Sequence, residues 1–273
     1  MQTAHGQVTP IMLIGAMKCG TTTLHSHLSQ HPEICGGTVK EPEYFSQQSG
    51  QAQYKEGRYE DLFPVASQHR FVLDASPGYT KYPNESGVPE RIKAYGLAPY
   101  FVYIIRNPFE RIRSHYNYMQ RDPNWRTSID SPYLVEVSKY AMQLAQFEGH
   151  FPADRILLVE FDQLKADPAR LCRRIFEFVG ASSFEIDLPS DPVINKTYST
   201  KHMRIQQYVG RFGKYFPMSI RLWFRRTMES LFPAKQLQLS TTENAKIKAA
   251  LAEDMAQLHA KYGIDISKWG FSI

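Results

Sequence analysis

Residues 10–32, PIMLIGAMKCGTTTLHSHLSQHP, decide the fold. The run 11–14 is apolar and has the length of a strand buried in a parallel sheet. A short loop follows, Gly15-Ala16-Met17-Lys18-Cys19-Gly20, and Thr21-Thr22-Thr23 open a helical pattern. Leu24 and Leu28 share one face of that helix, and His31-Pro32 marks its end. A strand, a glycine-bounded loop and a helix N-terminus rich in hydroxyls make an anion site. Glycines let successive N–H groups point inward, and the helix dipole adds partial positive charge. Lys18 brings a full charge into the loop. A tight turn with a solvated lysine is the plainer reading of the same residues, and the position of the lysine separates the two. In the nucleoside-triphosphate loop GxxxxGK[ST] the lysine directly follows the second glycine. Here Gly15 and Gly20 keep the glycine separation, but Thr21 holds that place and the lysine stands at 18.

A second anchor lies at 99–105, PYFVYII, a run of aromatic and β-branched residues that predicts a strand. It ends in Arg106-Asn107-Pro108, and a helix is expected through about Met119, with Ser114 two turns in. Ligands of parallel α/β sheets bind beyond the carboxyl ends of the strands, where both Lys18 and Arg106 fall. An arginine fork fits a phosphate and a serine hydroxyl can donate beside it. Taken alone, the plainer reading is favoured: Arg106 pairs with a carboxylate such as Glu110, and Ser114 is a neutral helix residue.

The remaining chain alternates strands (70–74 and 156–160) with helices (88–95, 133–147 and 169–179), which predicts an α/β fold with a mainly parallel sheet. Beyond Gly180 the strand signal fades. Residues 204–232 are rich in arginine and aromatics, and 241–262 read as a long helix burying Leu251, Met255 and Leu258. One domain over 1–273 is expected, with a helical portion from about 181 to 273 packed on it.

The net charge of +5 suits an anionic ligand, and no nucleic-acid motif accompanies it. Cys19, Cys35 and Cys172 show no paired spacing, which predicts a reducing compartment without a disulfide framework. No stretch approaches the roughly 20 apolar residues of a membrane span, and no signal-peptide pattern opens the chain. A cytoplasmic protein is expected; oligomeric state is not legible.

The two anchors together resemble sulfotransferases that use 3′-phosphoadenosine 5′-phosphosulfate (PAPS). Lys18-Cys19-Gly20-Thr21-Thr22 is similar to that family's 5′-phosphosulfate loop, and Arg106 through Ser114 to its 3′-phosphate motif. The resemblance covers residues 10–180 and is nearest to the heparan-sulfate-modifying and related bacterial branch. It implies a P-loop-like, three-layer fold with helices on a central sheet. It also implies a sulfuryl transfer from PAPS to a hydroxyl of a glycan, lipid or small natural product, with no metal required. Lys18, Cys19, Gly20, Thr21, Thr22, Thr23, Arg106 and Ser114 would hold the donor. Lys196, Thr197, Tyr198 and Lys201 are candidates for the segment that closes over its adenosine side.

Lys18 would meet the charge on the leaving phosphate. Glu41, in Lys40-Glu41-Pro42-Glu43-Tyr44-Phe45, fits the family's catalytic base, with His115 the second choice and His25, His27 and His31 further rivals. Pro42 predicts an extended Glu41, with Glu43 pointing the opposite way. Some members carry a lysine where this chain has Ala75. A P-loop kinase or nucleotide hydrolase is the rival enzyme, with Asp74 as its candidate metal-holding residue, and a basic polyanion-binding module is the non-enzymatic rival. Aromatics between 116 and 133 suit either an acceptor cleft or the core.

Overall fold

The computed structural model describes residues 1–3, 6–48, 55–120, 122, 124–188 and 238–273. Lys196, Thr197, Tyr198, Lys201 and the stretch 204–232 lie outside the described residues.

Two short strands, β1 (Gln2–Thr3) and β2 (Gly6–Gln7), pair antiparallel ahead of the main sheet. The main sheet holds β3 (Thr9–Gly15), β4 (Ile34–Gly36), β5 (Phe71–Asp74), β6 (Tyr100–Ile105) and β7 (Ile156–Glu160). Its order is β4-β5-β3-β6-β7, all parallel. β3 is central because it is apolar on both faces: Ile11, Met12, Leu13 and Ile14 have no exposed surface, as parallel strands covered on both sides require. The chain leaves β3 toward one edge, returns through β5, and crosses to the other side at β6. The carboxyl ends of β3 and β6 therefore flank the switch point, where such sheets open a crevice.

The helices are α1 (Thr21–Leu28), α2 (Val88–Ala94), α3 (Pro108–Met119), α4 (Pro132–Glu136), α5 (Tyr140–Glu148), α6 (Phe161–Ala166), α7 (Pro168–Val179) and α8 (Thr241–Tyr262). α1 packs on α7, and α8 packs on α4 and α5. Ser240 and Glu243 form a capping box that starts α8, and Ile247, Leu251, Met255 and Leu258 are its buried stripe. Asp254, also on that stripe, accepts from the N–H groups of Ala141 (3.2 Å) and Met142 (2.8 Å) at the start of α5. Burial pushes its carboxyl up to about 6.

The single helix expected over 133–147 is two, α4 and α5. Arg111 reaches in from α3 and explains the break. Its Nη2 donates to the Leu134 carbonyl (2.8 Å), which also accepts from Ser138 Oγ (3.0 Å), so the Ser138 N–H turns instead to Val135 (2.8 Å). α1 ends at Leu28, one turn before His31-Pro32; the His31 ring is taken up by the Glu33 N–H (3.1 Å) and the Ser182 carbonyl (3.0 Å).

Candidate active site

The loop 15–20 is shaped by positions only glycine fills. Gly15 has φ +146°, and a Cβ there would lie 2.2 Å from Thr80 Oγ1. Gly20 has φ +90°, and a Cβ there would lie 2.6 Å from the Phe161 ring. The strand register shifts between Leu13 and Gly15, which re-aims the backbone as it enters the loop. Lys18 itself holds φ +73°, a conformation an L-residue adopts at some cost and one that clusters at ligand sites. Gly20 is the N-cap of α1 and has no side chain to cap it, and no acidic residue sits in the first turn. The leading N–H groups of α1 are thus left for an anion. Gly20→Ala is expected to destabilise the protein by about 1–3 kcal/mol, through overpacking against Phe161 and the left-handed φ; urea denaturation measures this.

Arg106 joins the second anchor to the first. Its Nη1 donates to the Lys18 carbonyl (3.4 Å), its guanidinium lies 4.9 Å from the centroid of the Phe161 ring, and it pairs with Glu110. The Tyr140 hydroxyl donates to its carbonyl (2.8 Å). Arg106 Nε is buried without a hydrogen-bond partner among the described residues. The Glu110 pairing foreseen as the plainer alternative does form, yet it leaves this donor over. Asn107 caps α3, accepting from the N–H groups of Phe109 (3.0 Å) and Glu110 (3.4 Å), which fixes the helix against the end of β6. Glu110, Ser114 and Tyr118 follow at four-residue intervals on one face of α3. Glu110 pairs with Arg106, and the Tyr118 ring lies 4.5 Å from Lys18 Nζ. Ser114 therefore stands between the two basic residues on the helix face they share.

The adjoining face of α3 is the buried one: Pro108, Arg111, Ile112 and His115. Arg111 has no exposed surface and donates from Nε to Ser138 Oγ (2.7 Å). Its Nη1 lies 3.2 Å from His115 Nδ1. A guanidinium only donates, so Nδ1 accepts and its lone pair is occupied. Burial, then Arg111, Lys81 and Lys18, hold the imidazole well below its ordinary range. A general base at His115 is not compatible with this network. Cys19 is fully buried and its thiol is pushed up to about 11 by burial, so it is a packing residue of the loop. The Arg111 network escaped the sequence reading, although its spacing with Pro108 and His115 already placed it on the buried stripe.

The segment carrying Glu41 differs from expectation. Glu41 has φ +61° and Glu43 φ +52°, so the segment turns instead of running extended past Pro42. The reason lies at Glu43. Its N–H donates to Ser76 Oγ (3.0 Å), its Oε1 accepts from the Gly78 N–H (2.7 Å), and its Oε2 accepts from Ser46 Oγ (3.0 Å). Gly78 has no room for a side chain, since a Cβ would lie 2.1 Å from Glu43 Oε2. Ser76 in turn donates to Asp74 (2.5 Å), which also accepts from the hydroxyls of Tyr59 (3.1 Å) and Tyr79 (2.9 Å). The Glu41 segment is thereby bolted to the end of β5, next to β3. Glu41 itself is exposed and pairs with Lys40; both lie within electrostatic reach of His25 on α1. Asp74, the rival metal-holding residue, is spent on two tyrosines and a serine. Among the described residues no group of His, Cys, Asp and Glu is arranged to hold a metal ion.

Glu43 is 6% exposed, and burial, opposed by Lys81 and the Gly78 N–H, pushes its carboxyl up to about 7. A carboxyl raised on folding binds its proton better in the native state. Its contribution is therefore full below the ordinary carboxyl value and is lost as pH climbs through about 7. Glu43→Gln is expected to remove a decline on the order of 3 kcal/mol from the stability profile across that window. Urea midpoints of both proteins measured at pH values spanning it check this.

The family model described as "Sulfotransferase domain" matches residues 8–210. A mouse heparan sulfate glucosamine 3-O-sulfotransferase 3A1 is 26% identical over 190 residues, covering 64% of this chain and 46% of that protein. A bovine bifunctional heparan sulfate N-deacetylase/N-sulfotransferase 2 is 25% identical over 202 residues, covering 63% of this chain and 22% of that protein. The chain thus spans less than half the length of these curated relatives. Among solved structures, a sulfotransferase from Alicyclobacillus acidocaldarius superposes with a TM-score of 0.66 at 24% identity, covering 97% of this chain and 99% of that one. The sulfotransferase domain of the Synechococcus PCC 7002 olefin synthase gives 0.52 at 14% identity, covering 97% and 98%. Both share the fold. With its strand order, its Lys18 loop and its Arg106 helix in the matched region, this chain belongs to the sulfotransferase domain family.

Proposed function

We propose that the protein moves a sulfuryl group from PAPS to a hydroxyl of a glycan acceptor. The observation that carries the reading is the junction of two anion corners at the switch point, where Arg106 donates to the Lys18 carbonyl. An uncapped helix start beside a lysine suits a phosphosulfate. A part-buried arginine whose Nε–H is left over suits a second phosphate a nucleoside away. PAPS supplies the activated sulfuryl group and a leaving bisphosphate. The N–H groups at the start of α1, the hydroxyls of Thr21, Thr22 and Thr23, and Lys18 hold the 5′ side and stabilise charge there. Arg106 and Ser114 hold the 3′-phosphate, Cys19 and Gly20 shape the loop, and Lys196, Thr197, Tyr198 and Lys201 remain candidates for the adenosine side. Glu41 takes the acceptor's proton. The glycan acceptor is supported by the names of the curated relatives; a lipid or small natural product is the second choice. Three free, buried cysteines are consistent with a cytoplasmic protein. No helix among the described residues is long and apolar enough to cross a membrane.

Thermal unfolding tests the donor. Adenosine 3′,5′-bisphosphate is expected to raise Tm by mass action on the native state, and ATP far less, with or without magnesium. Equal stabilisation by magnesium-ATP would favour the kinase reading.

A further inference from the structure

Three buried polar atoms around Tyr133 have no hydrogen-bond partner among the described residues: His115 Nε2, Trp125 Nε1 and Ser131 Oγ. The Tyr133 ring lies 5.5 Å from the His115 ring and 6.0 Å from the Trp125 ring, and Ser131 stands two residues before it. The local chemistry fixes what each of the three atoms can do. With Arg111 donating to Nδ1, the neutral His115 ring must carry its proton on Nε2. The Trp125 indole is a donor only. Ser131 occupies the N-cap position of α4, yet its hydroxyl makes no capping bond. Buried polar groups of native proteins are normally satisfied, and orphans that gather at one place mark a missing partner.

We infer that His115 Nε2–H, Trp125 Nε1–H and Ser131 Oγ–H form the acceptor subsite, holding oxygens of a saccharide unit whose C–H face lies on Tyr133. Two donor-only N–H groups select lone pairs of oxygen, and a half-buried aromatic face beside them selects an apolar ring surface. A saccharide offers both on one rigid body. The location agrees: Lys18 and Lys81 act electrostatically on His115, and Ser114 precedes it in sequence. The assignment rests on the glycan reading proposed above, and gives the aromatics between 116 and 133 a role in the cleft.

The test compares the wild type with the double variant Trp125→Phe/Ser131→Ala, using an N-sulfated heparan sulfate oligosaccharide as the probe acceptor. Donors that serve only a ligand are dispensable to the free protein. The double variant should keep the wild-type Tm and bisphosphate affinity, while KM for the probe rises by about two- to tenfold per lost hydrogen bond. In parallel, His115→Gln, which retains an N–H donor, should keep more of the probe affinity than His115→Leu. A lowered Tm in the double variant would assign the groups to the fold, and an unchanged KM would assign them to buried water; either result overturns the subsite. If the wild type does not sulfate the probe, the glycan reading fails by itself. The Tm comparison and KM for whichever hydroxylated acceptor a pooled screen returns then decide the subsite separately.

Discussion

Lys18→Ala is expected to lower kcat by about 10²–10³-fold, with a much smaller change in the affinity for adenosine 3′,5′-bisphosphate. The leaving phosphate gains charge as the sulfuryl bond breaks, so a cation held over it contributes more to the transition state than to the ground state. The loop prepares Lys18 for that role: its backbone is held at φ +73°, its carbonyl is tied to Arg106, and its ammonium lies over Tyr118. Arg106→Ala is the contrasting variant. The 3′-phosphate carries the same charge throughout the reaction, so its loss should appear as weaker donor binding with kcat largely kept. Single-turnover kinetics with calorimetric binding separates the two. Equal losses of binding alone in both variants would remove Lys18 from the chemistry.

Glu41→Gln carries the next largest expected effect, a loss of about 10²–10⁴-fold in turnover with folding and bisphosphate binding intact. The glutamine is nearly isosteric but cannot accept the hydroxyl proton. Any residual rate should also lose its acidic limb against pH. The structure gives Glu43 a different part: its carboxylate is consumed by Gly78 and Ser46 and anchors the segment that presents Glu41. Glu43→Gln keeps the Gly78 N–H bond at its amide oxygen and reverses only the other, its amide N–H donating to Ser46 Oγ, and should therefore be milder. Near-normal turnover in Glu41→Gln, with Glu43→Gln inactive, would transfer the base to Glu43. His115 is excluded from that succession by the guanidinium on its Nδ1.

The fold was legible because its signals are local. The apolar run 11–14 and the run 99–105 became β3 and β6, and the heptad-like burial of Leu251, Met255 and Leu258 became the inner face of α8. The loop was legible for the same reason: glycine spacing and a displaced lysine are properties of the six consecutive residues 15–20. What sequence could not supply were contacts between distant segments. Glu41 turned positive in φ against the preference of a residue before proline because Glu43 is bound 35 positions away, at Gly78. One expected helix split because Arg111 takes a carbonyl 23 positions on, at Leu134. His115 looked like a base from its place beside Ser114, and its tautomer is set by a neighbour one helical turn back, which spacing alone shows as proximity and not as a hydrogen bond.

The most direct test of sulfuryl transfer at the switch point is a reaction with PAPS and pooled hydroxylated acceptors, read by mass. The account predicts a product heavier by a single sulfuryl group, adenosine 3′,5′-bisphosphate released one for one, and loss of both in Lys18→Ala. A phosphorylated product formed from magnesium-ATP with none formed from PAPS, or transfer undiminished in Lys18→Ala, would contradict it.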